Sequence, residues 1–277
     1  MYYDSAIEYE EYVLYTTEAE TNLLKSKTAT KIKDILIRIA EKASSLVSKI
    51  ISKFIALVKK ANVVVLDTLA SRNLKKGRFK NKSMAVPDVP GFRQLLMDLN
   101  KLPSYAKDIS AALSGTDIDW DKSFKDIDDM RDRVNTVRTQ LSSHKRTNIN
   151  PSLIKKLVMY ANLGTKARVQ TADVNIKRIK SKISNLRDDK ASQQVHQITS
   201  RFINLFVSMT SLIFRITRMS LNNLRRLARN IVKTENSKDK QDRITMDSIL
   251  LILCTFNCRN SFTSNGFCFC FKPIKFS

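Results

Sequence analysis

Six basic residues recur at a regular spacing in the first third of the chain. Three consecutive 11-residue units each begin with Lys and carry Arg or Lys at the eighth position, which gives Lys31, Arg38, Lys42, Lys49, Lys53 and Lys60. An 11-residue period corresponds to about 3.67 residues per turn, so it favours a straight or slightly right-handed helix. We call these six residues the cation row. The chemistry that such a row can perform is the attraction of an anionic surface.

Two further groups of cations are candidates for the same chemistry. A basic linker contains Lys75, Lys76, Arg78, Lys80 and Lys82 around Gly77 and Phe79. A pair of predicted helices near the C-terminus carries Lys177, Arg178, Lys180, Lys182, Arg225, Arg226 and Arg229, mostly away from the apolar positions. The net charge of +23 favours nucleic acid, anionic lipid or an acidic protein as the partner. A solvated linker without a ligand explains the first group about as well.

Three aspartates suggest a metal site only at first sight. Asp117, Asp119 and Asp121 have the D-x-D-x-D spacing of a calcium loop, but the sixth position is Lys122 and the twelfth is Asp128. Carboxylates at this place also favour the positive end of the helix that follows. Helix capping is therefore the simpler interpretation.

Cysteine and histidine form no recognisable active site. All four cysteines lie in the last 24 residues, at Cys254, Cys258, Cys268 and Cys270, with a spacing that matches no common zinc site. His144 and His196 lack the neighbours of a catalytic triad or a zinc protease, and no Gly-rich phosphate loop occurs. We predict a protein that is not an enzyme and that has no cofactor and no bound metal.

Helices must position the cations, because the signals for sheets are nearly absent. The chain of 277 residues contains five Gly and five Pro, and neither occurs between residues 165 and 265. Apolar residues from Ile32 to Ala61 form one continuous stripe beside the cation row. The stripe could cover the rest of the protein, a sister chain or a lipid surface. It cannot span a bilayer, because its longest uncharged run is 43–48.

The pattern along the chain predicts an elongated all-α protein with long amphipathic helices and an antiparallel helical hairpin or coiled coil. We predict an acidic, Tyr-rich arm (1–24), a long amphipathic helix (25–74), a basic linker (75–90), a region of short helices (91–164), a basic hairpin (165–246) and a Cys/Phe-rich tail (247–277). The tail has the composition that a noncoding or frame-shifted stretch would encode. The uncharged run 202–214 is too short to cross a bilayer and is predicted to be buried.

The acidic arm has two possible roles. The segment 1–24 contains six acidic residues, no basic residue and five tyrosines. The arm could dock its tyrosines on the body of the protein, or it could shield basic surface until a polyanion arrives.

The order of these segments resembles the virion structural proteins of large tailed bacteriophages, especially those inside the capsid. The resemblance rests on the start "YYDSAIEYEEYVLYTTEAE", the helix "KIKDILIRIAEKASSLVSKIISKFIALVKK" and the basic helices that follow. It implies packing with DNA inside the capsid, residence in the host cytoplasm before assembly, and removal of a propeptide after Glu. The similar positions are Ala6-Ile7-Glu8 and Glu18-Ala19-Glu20.

These observations predict a structural protein that binds DNA without sequence specificity, associates with itself and contacts other virion proteins. One alternative is a peripheral membrane protein that lays the helix 31–60 on anionic lipid. Another is a helical assembly factor whose basic faces meet acidic protein, such as the arm of a neighbouring copy.

Overall fold

The computed structural model of the protein describes residues 12–13, 29–116, 119–142, 146–186 and 193–229. Within these ranges the fold is all-α, as predicted. The helices are α1 (Ala29–Lys59), α2 (Val63–Lys75), α3 (Phe92–Ala112), α4 (Trp120–Ser142), α5 (Pro151–Thr165), α6 (Gln170–Ser184) and α7 (Gln193–Arg229). Strands β1 (Ser83–Ala85) and β2 (Arg146–Asn148) pair antiparallel, with Ser83 opposite Asn148. The four cysteines, Asp117 and His144 lie outside the described residues, and so does nearly all of the acidic arm.

The apolar stripe of α1 covers the rest of the protein. Its central side chains are buried, among them Leu36, Ile39, Val47, Ile50 and Phe54. The Phe54 ring meets Phe214 of α7 edge to face, with ring centroids 6.4 Å apart. Of the three surfaces that the sequence allows for the stripe, the fold therefore uses the chain's own core.

Helix α6 packs along α1 in the opposite direction. Lys33 Nζ donates to Leu186 O at 3.0 Å near one end of the contact. Ser44 Oγ donates to Asp173 Oδ1 at 2.8 Å near the other end. The apolar residues of 165–246 recur at coiled-coil spacing but change phase across 187–192, which predicts two helices with a turn between them. In the structure α6 ends at Ser184 and α7 begins at Gln193. This confirms that the change of phase in the apolar pattern marks a break between two helices.

Helix α7 is the core helix of the bundle. Every residue of the uncharged run 202–214 is buried or half-buried, as predicted. By length and composition one helix among the described residues, Gln194–Arg229, could cross a membrane, and 67% of its apolar window is buried inside the protein. A core helix meets the same criterion, and most of α7 is buried or half-buried, with Arg215, Arg226 and Arg229 among its few exposed residues.

The single long helix predicted over 25–74 is two helices in the structure, because α1 ends at Lys59 and Asn62 caps the start of α2 by accepting from Val65 N at 3.2 Å. Two further predicted helix ends differ from the structure. The sequence predicts separate helices on either side of Pro103, whereas α3 runs through it without a break. Leu99, Leu102 and Ala106 are all buried on the core side of α3, and their packing outweighs the cost of about 3 kcal/mol for an internal proline. Helix α5, predicted to end at Gly164, ends at Thr165 instead.

The C-terminal part of α7 builds a second core with α2, α5 and the loop between α2 and β1. Its buried side chains are Val63, Ala70, Phe79, Val86, Leu153, Ile154, Leu157, Ala161, Leu221, Leu224 and Leu227. Helix α5 starts as predicted, since Asn150 caps it by accepting from Leu153 N at 2.8 Å and Pro151 occupies its first turn. This second core positions the basic segment after α2 and the C-terminal end of α7.

Candidate anion-binding site

The basic segment after α2 is an anchored loop, in contrast to the flexible linker that the sequence suggests. The Phe79 side chain is 2% exposed in the second core. Backbone hydrogen bonds close the loop, from Lys80 N to Gly77 O at 3.2 Å and from Lys82 N to Phe79 O at 3.0 Å. Gly77 takes a φ of 71°, which glycine adopts without strain. Four of the five predicted cations are exposed here, and Arg78 is half-buried.

A buried asparagine ties this loop to the end of α7. Asn73 is fully buried, and its Nδ2 donates to Leu227 O at 2.6 Å and to Ala228 O at 3.4 Å. Both acceptors lie in the last turn of α7, where helix carbonyls have no partner within the helix. Sequence reasoning did not select Asn73. The available signal was a polar residue three positions after Ala70 on the apolar face of α2.

Other contacts bring more cations to the same place. Arg225 Nη2 donates to Lys60 O at 3.4 Å, which joins the end of α7 to the end of α1. Asn223 Nδ2 donates to Ala85 O at 3.1 Å, and Ala85 pairs with Arg146 across the small sheet. The structure thus unites Lys60, the basic loop and the arginines of α7, which are far apart in the sequence.

We call the surface around the second core the basic end and define it as residues 59–90, 146–158 and 221–228. These segments contain thirteen basic residues and two acidic residues. Asp88 forms an ion pair with Lys156, and Asp67 accepts from Ser71 Oγ at 3.2 Å. Both carboxylates are therefore engaged locally, and a strongly positive potential remains. Arg229, the last residue of α7, is exposed.

The cation row is a second basic surface. All six of its side chains are exposed along α1. At about 100° per residue, the row lies about 140° around α1 from the edge formed by Lys33, Glu41 and Ser44, which contacts α6. The row therefore faces away from α6. Three of its members, Lys42, Lys49 and Lys53, each interact with another group in the chain.

One of the four cations of α6 contacts α1, and one forms an ion pair within α6. Lys180 Nζ lies 2.9 Å from Glu41 Oε1, and Lys177 Nζ lies 2.6 Å from Asp173 Oδ2. Burial raises the pKa of Asp173, but hydrogen bonds from Lys177, Ser44 and Ser48 outweigh it and hold the pKa below its usual value. Arg178 and Lys182 remain exposed. The cations predicted on one hairpin thus separate: among the described residues Lys180 contacts α1, the other cations of α6 form no ion pair with it, and Arg225 and Arg226 belong to the basic end.

The candidates for other chemistry have structural roles. Asp119 caps α4 by accepting from Lys122 N at 3.0 Å, as the capping interpretation predicts. His196 is fully buried, neither ring nitrogen has a hydrogen-bond partner, and burial lowers its pKa to about 4. Among the residues that the structure describes, no three His, Cys, Asp or Glu side chains are grouped to hold a metal ion.

Comparison with known proteins adds no relative, since no family model, curated protein or solved structure matches the chain. The two basic surfaces are therefore the features of the chain that indicate a function.

Proposed function

We propose that this chain is a non-enzymatic structural protein that binds DNA without sequence specificity, with the basic end as its contact surface. The observation that carries the proposal is the gathering of thirteen cations from three separate segments around two engaged carboxylates. A charge of this density attracts a polyanion, because binding releases the counterions condensed on the phosphate backbone.

The groups available at the basic end suit phosphates better than bases. Lys and Arg account for ten of its exposed residues, most of them on a loop or near helix ends. Phe79 is buried, so this aromatic ring is not available to stack on a base. Helix ends of both polarities lie here, the C-termini of α1, α2 and α7 and the N-termini of α2 and α5, so the helix dipoles give no clear preference for an anion. Binding would therefore depend on side-chain charge.

The proposed setting is the interior of a tailed-phage virion, with other virion proteins and further copies of the chain as additional partners. It rests on the resemblance of the acidic start, the 11-residue repeat and the basic helices to capsid-internal proteins. Detection of the chain by mass spectrometry in purified particles tests the setting. Its absence from particles whose host cells express it would contradict this part of the proposal.

The lipid alternative fits the fold less well. It requires the apolar stripe of α1 to enter the headgroup region. Ile39 and Ile50, at the centre of the stripe, are 0% and 3% exposed. Lipid could reach them only if α1 left the bundle.

The experiment is a salt titration of DNA affinity with two duplexes of unrelated sequence, measured by fluorescence anisotropy. We expect equal affinities and a linear fall of log K with log salt, with a slope of about −5 if about six phosphates are neutralised. The variant Lys75→Gln/Lys80→Gln/Lys82→Gln removes three exposed charges from the loop. It should flatten the slope by about 2 to 3.

A matched control removes three exposed charges elsewhere, with Lys101→Gln/Lys107→Gln on α3 and Lys125→Gln on α4. Its slope should stay close to that of the unmodified protein. Equal slopes for the two triple variants would show that net charge matters and the basic end does not. Undetectable binding at about 50 mM salt, where non-specific affinity is high, would refute DNA binding altogether.

A further inference from the structure

We infer that the cation row is the docking surface for the chain's own acidic arm, residues 1–24. The docking itself does not depend on the proposed function. The consequence of docking rests on the proposed function: if DNA is the ligand, the docked arm keeps the cation row from contacting DNA.

One residue of the arm is anchored in the described structure. Tyr12 is 5% exposed, belongs to the main core, and its hydroxyl donates to Asn204 Oδ1 of α7 at 2.6 Å. A tyrosine that buries its ring and satisfies its hydroxyl is a specific contact. This fixes the middle of the arm on the bundle.

Along the axis of α1, the Tyr12 anchor lies at the level of the centre of the cation row. Phe214 of α7 meets Phe54 of α1, and Arg225 further along α7 meets Lys60 further along α1, so the two helices run in the same direction. Asn204 is ten residues before Phe214. At 1.5 Å per residue it lies about 15 Å back, near residue 44 of α1, between Lys42 and Lys49.

The chain between the anchor and α1 is long enough to run along the first half of the row. Sixteen residues separate Tyr12 from Ala29, where α1 begins. Extended chain covers about 3.3 Å per residue, so this segment can follow α1 from its middle to its start with length to spare. Glu18 and Glu20 belong to this segment, and Glu8, Glu10 and Glu11 precede Tyr12 in the sequence.

The charges of the arm and the row are complementary. The arm has six carboxylates and no cation, and the row has six cations. Three members of the central and later part of the row, Lys42, Lys49 and Lys53, each interact with another group in the chain. Surface ion pairs are individually weak and are screened by salt. The arm would thus be held by Tyr12 and yet remain displaceable by a stronger polyanion.

Zero-length carbodiimide cross-linking of the full chain tests the docking without DNA. The reagent joins a carboxylate to a nearby lysine amine, and digestion with mass spectrometry identifies the pairs. An equal mixture of ¹⁴N- and ¹⁵N-labelled chains separates links within one chain from links between chains. We expect single-isotope links from arm glutamates to Lys42, Lys49 or Lys53.

Three results would overturn the inference: no link from the arm to the row, links to the basic end instead, or mostly mixed-isotope links. The last result would assign the row to the arm of a second copy.

Neutralising the arm tests the consequence for DNA. The variant Glu11→Gln/Glu18→Gln/Glu20→Gln should tighten DNA binding at about 50 mM salt by about tenfold or more, because it frees the row. The control Asp108→Asn/Asp129→Asn/Asp132→Asn makes the same change of net charge at exposed positions of α3 and α4. Equal tightening in both would refute the shielding. If no variant binds DNA, the proposed function fails, whereas the cross-linking result still decides the docking.

Discussion

Replacing Gly164 by Ala should destabilise the protein, although alanine is the better helix former. Gly164 is buried in α5 where it crosses α7. A Cβ added there would lie 1.9 Å from Thr217 Oγ1 and 2.8 Å from Thr217 Cβ. Rotation of the threonine can move its hydroxyl, but its Cβ is fixed by the α7 backbone. The two helices must therefore separate.

The expected magnitude follows from two opposing effects. Ala in place of Gly stabilises a helix by about 1 kcal/mol. Overpacking of a well-packed contact costs about 1–3 kcal/mol, and a clash with a fixed Cβ belongs at the upper end. We expect a net loss of about 2 kcal/mol in the free energy of unfolding, measured by urea denaturation followed by circular dichroism.

A double-mutant cycle identifies the contact responsible. Thr217→Gly alone should cost about 2 kcal/mol, from its poorer helix propensity and the lost packing. Gly164→Ala/Thr217→Gly moves the small residue to the other helix, and it should be more stable than the sum of the single changes by about 3 kcal/mol. Additivity within about 0.5 kcal/mol would refute the close approach of the helices.

Two further predictions concern buried aromatic side chains. His196 has a pKa of about 4 in the folded protein and about 6.5 in the unfolded chain, which therefore takes up the proton first as the pH falls. Stability should drop by about 2 kcal/mol between pH 7.5 and 5.0, and His196→Leu should remove that part of the drop; equal losses in both proteins would contradict this. Phe79→Ala should lower the unfolding free energy by about 3 kcal/mol and Lys80→Ala by less than about 0.5 kcal/mol, because only the first side chain is buried. Unchanged denaturation of Phe79→Ala would mean that the loop is a loose linker.

Periodic features were predictable from the sequence. The stripe of α1, the exposed cation row and the break before α7 all follow from helical spacing, because a helix with one apolar face buries that face wherever it finds a partner. The caps at Asp119 and Asn150 follow from side-chain chemistry that acts over three residues. These are local rules, and local sequence suffices for them.

Contacts between distant segments were not predictable in this way. Phe79 lies among five cations, so the sequence predicts a solvated linker there. The second core that buries Phe79 is formed by α2, α5 and α7, which are distant in the sequence. Local sequence predicts that Gly164 ends a helix. The reason for a glycine there is its contact with Thr217, which is 53 residues away in the sequence. Pro103 reads as a helix end because the packing that holds α3 together is tertiary.

The basic residues behind the net charge of +23 are divided between two surfaces, and this division has a functional consequence. If all cations formed one surface, an acidic arm of six carboxylates would weaken binding of any polyanion uniformly. The fold instead places most of the cation row along α1, outside the basic end around the second core, with Lys60 belonging to both, and Tyr12 is anchored on α7 at the level of the centre of the row. Polyanion binding should then proceed in two stages. The basic end engages first, and the row follows once the ligand, at a high local concentration, displaces the arm. A salt slope that steepens with increasing duplex length in the unmodified protein, but not in the variant with the neutralised arm, would be the signature of this order.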